Sequence, residues 1–135
     1  MRTDKLKRND LSGDAFGWYT RYLTALDAKD LDGYSAFLAD DCIMYMNNDG
    51  PIAGKEAIRG MLGPYWQSIG DLEHDLLVIL GSDDHFMLEA LNHYTSNGET
   101  TTLRAVAITK RNEDGLACAV RIYTDASPLF SGETE

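Results

Sequence analysis

From Asp71 onward the spacing of apolar residues changes from a repeat near 3.6 to a repeat of two, and this switch limits the fold more than any other feature. Strand-length runs follow over 72–80, 85–95, 101–110 and 116–125. The separators are Gly81-Ser82-Asp83-Asp84, Ser96-Asn97-Gly98-Glu99 and Asn112-Glu113-Asp114-Gly115. Each is rich in residues that accept tight reversals, so the run predicts an antiparallel meander.

The first half reads differently. Ser12 or Asp14 caps a helix to about Ala28, whose apolar stripe is Ala15, Trp18, Tyr19, Tyr22, Leu23 and Leu26. Asp30 caps a short second helix carrying Leu31, Tyr34, Phe37 and Leu38, with Asp40-Asp41 at its end. A strand over 42–46 and the turn residues 47–51 predict a hairpin into Ile52-Ala53. Gly54 opens a third helix with Ala57, Ile58, Met61, Leu62, Tyr65 and Trp66 at helical spacing, and Pro64 late in it. Helices first and a meander last is an α+β order, with a curved antiparallel sheet wrapped around three N-terminal helices.

Length and charge narrow the rest. The chain has 135 residues, 44% of them apolar, which suits one domain over 13–130. A basic, flexible arm is expected over 1–12 and a loose tail over 131–135. With 12 basic against 22 acidic residues the formal charge is -10, which should repel nucleic acid and anionic membranes. Arg2, Lys5, Lys7 and Arg8 sit in the arm, so the body is more acidic still. No apolar signal segment follows the start. Cys42 and Cys118 lack a CxxC spacing and read as reduced thiols, consistent with the cytoplasm. The histidines show no HxH or HExxH spacing, so neither a metal nor another cofactor is expected.

Four local patterns stand out: Ala25-Leu26-Asp27-Ala28-Lys29-Asp30-Leu31-Asp32, Phe37-Leu38-Ala39-Asp40-Asp41-Cys42, Gly54-Lys55-Glu56-Ala57-Ile58-Arg59 and Arg121-Ile122-Tyr123-Thr124-Asp125. Together they resemble the SnoaL-like branch of the nuclear-transport-factor-2-like (NTF2-like) superfamily. The resemblance spans about residues 14–130. It implies a cone with a pocket between sheet and helices, often a dimer through the convex sheet face. It does not settle the reaction, since ketosteroid isomerases, limonene-epoxide hydrolases, polyketide cyclases and non-catalytic members share the fold.

Carried over residue by residue, the resemblance disfavours two of these chemistries. Met46 stands where an isomerase places its carboxylate base, and Asp49 could substitute only by folding back into the pocket. Ile122 stands where an epoxide hydrolase places an acid, and the earlier strand offers Glu89 and Leu91 near that family's Arg and Asp. A cyclase-like reaction needs only an acid or base with donors for an enolate. Glu89 and His93 share one strand face and form the candidate catalytic pair if that face points inward; outward, they would be interface or solvated residues. Candidate ligand contacts are Trp18, Tyr22, Tyr45, Trp66 and Arg104, the tyrosines as hydroxyl donors or core packing. Arg104 could instead pair with Glu89 across the sheet. His74 and His85 read as surface histidines. Arg121, Tyr123 and Asp125 suit a polar dimer interface. The expected function is binding of a small apolar or aromatic molecule, with acid–base chemistry, or binding and assembly without catalysis.

Overall fold

The computed structural model describes residues 1–8 and 11–129. The tail expected over 131–135 and part of the arm, residues 9 and 10, lie outside the described residues. Helix α1 (Gly13–Asp27) starts at Ser12, whose hydroxyl accepts from the Ala15 N–H. Its expected stripe is the buried one, with Ala15, Trp18, Tyr19, Tyr22 and Leu23 inside. Helix α2 (Leu31–Ser35) is capped by Asp30, which accepts from the Gly33 N–H. Helix α3 (Lys55–Ser68) runs through Pro64 and buries Ile58, Leu62 and Trp66.

Strand β1 (Lys7–Arg8) is short, and strand β2 (Leu38–Met46) is longer than the sequence suggests. Leu38 to Asp41 were expected to finish α2, yet they are extended. The reason is pairing: the Ala117 N–H donates to the Phe37 carbonyl at 2.8 Å, and Leu38 lies opposite Ala117. Strand β3 (Ile52–Ala53) completes the expected hairpin, with Met44 opposite Ile52. The meander is strands β4 (Asp71–Ser82), β5 (His85–Ser96), β6 (Glu99–Arg111) and β7 (Ala117–Thr124). A single 3-10 turn, Ser127–Leu129, follows.

The strand order is β1-β4-β5-β6-β7-β2-β3. β4 to β7 are antiparallel as expected, but β2 runs parallel to β7 and β1 parallel to β4, so the sheet is mixed. The curved sheet stays unclosed and holds the helices on its concave side, which gives the expected α+β cone. The first residues run along β4: Arg2 N–H donates to the His74 carbonyl at 2.7 Å, and Leu76 N–H donates back to the Arg2 carbonyl at 2.7 Å.

A bulge between Leu76 and Val78 resets the alternation of β4. Leu72, His74 and Leu76 face inward before it and Ile79 faces inward after it, so both ends of this long strand serve the core. Gly70 enters β4 so close to the Thr95 backbone that a Cβ there would collide with the Thr95 carbonyl. Among the described residues no helix is long and apolar enough to cross a membrane.

Both cysteines are free. Cys42 has no exposed surface, and burial pushes its thiol up to about 12, so little thiolate exists near neutral pH. Iodoacetamide at pH 8 should leave Cys42 unmodified in the folded chain and alkylate it after denaturation in guanidinium. Peptide mass spectrometry reads the result, and a native Cys42 adduct would refute this burial.

Candidate functional site

Between the helices and the concave face lies a cavity of about 90 Å³. Leu23, Met44, Leu62, Leu72, Leu88 and Val120 give it an apolar wall. The half-buried Leu26, Met46, Tyr65, Ile122 and Thr124 mark its opening. Polar groups break this wall at few places: His74, Asn92 and Thr109 from the sheet, and the hydroxyls of Tyr19, Tyr22, Tyr34, Tyr65 and Tyr94.

His74 is the chemically distinctive member. It is 8% exposed, and its Nδ1 lies 2.5 Å from Asp27 Oδ1. Asp27 is the last residue of α1, and its second oxygen accepts the His74 backbone N–H at 3.1 Å. A carboxylate only accepts, so Nδ1 carries the proton and Nε2 is left for the cavity. Burial would raise the Asp27 pKa, but the hydrogen bonds and charge of His74 outweigh it and hold the carboxyl below the usual range. The Met1 amino group, 3.1 Å away, adds a further positive charge.

Two other polar groups sit close by in the fold. Asn92 lies directly opposite His74 in the β4–β5 register, so both side chains rise from neighbouring strands on the concave face. Tyr22 and Tyr34 join α1 to α2 through their hydroxyls, 2.7 Å apart. Burial raises both phenols, and that of Tyr94, above the ordinary value, so all three remain protonated donors at neutral pH.

The structure places the expected site residues unevenly. Tyr22 and Trp66 line the cavity. Trp18 is buried behind the wall, stacked on Tyr22 with the Arg111 guanidinium 4.5 Å from its ring centroid. Tyr45 alternates with the cavity-lining Met44 and Met46, so it faces the convex side, with Arg121 5.0 Å from its ring centroid. Glu89 and His93 do share a face, but an inward orientation is not what forms. Leu88, Ala90, Asn92 and Tyr94 take the concave side of β5, and a pleated strand then sends Glu89 and His93 to the convex side. There Glu89 meets Arg104 at 3.2 Å, the cross-sheet pairing that the sequence allowed. His93 bridges Asp75 at 3.0 Å and Thr102 at 2.8 Å.

His85 is exposed, as expected, whereas His74 is not the surface histidine that its neighbours Glu73 and Asp75 suggest. Sequence reasoning also passed over Asp27 and Asn92. One signal was available: the even-numbered set Phe86, Leu88, Ala90, Asn92, Tyr94 is more apolar than Met87, Glu89, Leu91, His93, which marks it as the core face.

Comparison with known proteins agrees with this architecture. A candidate SnoaL-like polyketide cyclase from Shewanella denitrificans superposes with a TM-score of 0.76 at 12% identity, covering 89% of this chain and 96% of that one. An LEH-like epoxide hydrolase from Mycobacterium tuberculosis gives 0.70 at 19% identity, covering 88% of each chain. TerC, co-crystallised with polyporic acid, gives 0.73 at 15% identity, covering 87% of this chain and 95% of that one. At these identities the likeness is one of fold. No curated protein matches in sequence. The family model described as the SnoaL-like domain matches residues 19–120, and the chain therefore belongs to the SnoaL-like domain family.

Proposed function

We propose that this protein binds a small, largely apolar carbonyl compound or aromatic ring in the cavity and moves a proton on it, with His74 as the base. The observation that carries this reading is the buried His74, held from behind by Asp27, on the wall of a mainly apolar cavity into which tyrosine residues also project. Catalysts of proton transfer need a positioned base near its working pH and donors for the charge that develops. In the proposed step a C–H bond next to a carbonyl breaks and His74 Nε2 takes the proton. The electron pair moves onto the carbonyl oxygen as an enolate, which a tyrosine hydroxyl steadies. Return of the proton to the far carbon of a conjugated enolate completes an isomerisation; alternatively the enolate carbon attacks a second carbonyl carbon of the same molecule, whose π electrons move onto its oxygen, and that oxygen takes the proton back from His74 to complete a ring closure. Asp27 holds the imidazole in the right tautomer and stabilises the imidazolium. Two proteins of this fold support the reading: one is described as a candidate SnoaL-like polyketide cyclase, and TerC was co-crystallised with polyporic acid.

The cavity limits the size of the guest. At about 90 Å³ it is smaller than the roughly 150 Å³ that encloses a benzene ring. One edge of a single ring fits below the opening with the remainder at the mouth, and an enclosed four-ring skeleton does not fit.

This reading also includes a second copy packed on the convex sheet face. Leu80 and Tyr123 are exposed there, 42% and 45%, an apolar surface beside charged pairs that a partner would cover. Light scattering on the eluting protein should give the mass of a dimer, and a monomeric mass at micromolar concentration would remove that part of the proposal.

A thermal-shift screen of single-ring ketones, diketones and phenols finds the substrate class; a ligand at about 100 times its Kd stabilises by roughly 2.7 kcal/mol. With a turned-over compound in hand, His74→Ala should lower kcat at least about a hundredfold. Glu89→Gln, on the other face, should leave it within about threefold. Equal losses in the two variants would sink the assignment to His74, and no binding by any compound would favour a non-catalytic assembly domain.

The lowered Asp27 pKa also predicts a pH dependence. Because the folded value is depressed, the carboxylate's stabilising contribution is complete above the ordinary 3.8 and is lost as pH falls through the folded value. Tm should therefore drop on acidification below about pH 4, and Asp27→Asn should flatten part of that drop. An acid limb identical in the variant would show that the pair contributes nothing to stability.

A further inference from the structure

Beyond β4 the sheet ends in β1, which reaches Val78 and Ile79 but not His74. The edge at His74 is completed instead by Arg2, which sits beside Asp75 in parallel register. The Arg2 N–H donates to the His74 carbonyl and the Leu76 N–H donates to the Arg2 carbonyl, both at 2.7 Å. In an antiparallel strand the N–H and C=O of one residue point the same way, so both backbone groups of His74 face this outer edge rather than β5. Asp27 Oδ2 takes the N–H and Arg2 takes the carbonyl. With Nδ1 donating to Asp27 Oδ1, every hydrogen-bonding group of His74 except Nε2 is held.

The side chains of the same segment fasten it on either side of His74. Arg2 Nε donates to Glu73 Oε1 at 2.9 Å. Lys5 Nζ lies 3.6 Å from Asp75 Oδ2, and the Asp75 side chain is 1% exposed. The turn that brings Lys5 there is closed by the Leu6 N–H donating to the Thr3 carbonyl at 3.1 Å. Leu6 packs against the core, and Lys7 and Arg8 pair with Val78 and Ile79. Glu73 and Asp75, the acidic neighbours that gave His74 the look of a surface residue, are thus the anchors of a basic strap. Without it the His74 carbonyl and the Leu76 N–H stand bare on a strand edge, and such edges open most readily. A shift of about 1 Å in a catalytic group can cost roughly a hundredfold in rate.

We infer that residues 1–8 form part of the working site: Arg2, through its backbone, is the positioning residue for His74, and docking of the strap on Glu73 and Asp75 sets whether the base is aligned. This inference rests on the reading of His74 as the base and adds what holds that base in place.

The test pairs a charge reversal, Arg2→Glu with Lys5→Glu, against a conservative double variant, Arg2→Lys with Lys5→Arg. NMR follows amide exchange of Leu76, which reports docking of the strap, and the His74 Nδ1–H resonance, which reports the bond to Asp27. Deuterium uptake by cyclohexanone from heavy water reports the base. In the reversal variant Leu76 should exchange at least about tenfold faster. The Nδ1–H resonance should fade, and deuterium uptake should fall at least about tenfold. The conservative variant should keep all three within about threefold of wild type. Deleting residues 2–8 should reproduce the losses, and it decides if near-UV circular dichroism shows the reversal variant unfolded. Leu76 still protected in the folded reversal variant would overturn the anchoring by Glu73 and Asp75. A released strap with the Nδ1–H resonance unchanged would overturn the positioning role and leave the small-molecule reading standing. If wild type and His74→Ala exchange cyclohexanone alike, the reading of His74 as a base falls, and the resonance alone decides whether the strap positions this residue.

Discussion

Trp18, Tyr19 and Tyr22 project from one face of α1, and their rings lie 5.4 to 6.4 Å apart in planes within 27° of parallel. From this stack the contacts spread to every layer. Tyr19 meets Phe86 of β5 edge-on at 4.6 Å, Tyr22 meets Tyr34 of α2 at 4.8 Å, and Tyr34 meets Trp66 of α3 at 5.5 Å. Each such pair contributes about 0.5–1.5 kcal/mol beyond its buried area. The chain of rings also sets a spacing, because flat, stiff rings do not collapse into every gap between a helix and a curved sheet. The cavity is the space these rings hold open next to the smaller Ala90, Ala105 and Ala107.

Within that apolar frame, the buried carboxylates are paired. The Asp27–His74 pair joins the end of α1 to the start of β4, and Asp27 meets both the ring and the backbone of His74. One carboxylate thus satisfies two donors and ties a helix terminus to a strand. The next residue on β4 shows the same rule on the opposite side. Asp75 is fully buried on the convex face, where the Lys5 ammonium lies 3.6 Å and His93 Nε2 3.0 Å from its Oδ2, and residues near the start of the chain cover it. Adjacent residues of one strand therefore serve two unrelated polar clusters, because side chains alternate across the sheet.

The candidate site was only partly legible before folding. Tyr22 and Trp66 belong to helical stripes, and a stripe states directly which residues are inside. Glu89 and His93 were paired correctly on one face by a period of two, yet a period of two does not say which face is the concave one. The more apolar composition of the other face marked it as the core face, but nothing in it singled out Asn92 as a polar residue on the cavity wall. His74 was hidden by its acidic neighbours Glu73 and Asp75 and by a partner 47 residues away.

The amino-acid sequence by itself determined the elements, their order and most of their pairing, because periodicity, caps and turn residues act over a few positions. It marked α1 by its stripe and Ser12, the meander by its alternation and loops, and the family by the spacing of short motifs. Tertiary structure alone decided that Leu38 to Asp41 join the sheet, that β2 lies parallel to β7, and that His74 rather than His93 enters the cavity. Each of those outcomes depends on backbone pairing or side-chain contacts between segments far apart in the chain, and no local pattern encodes the direction in which a sheet will curve.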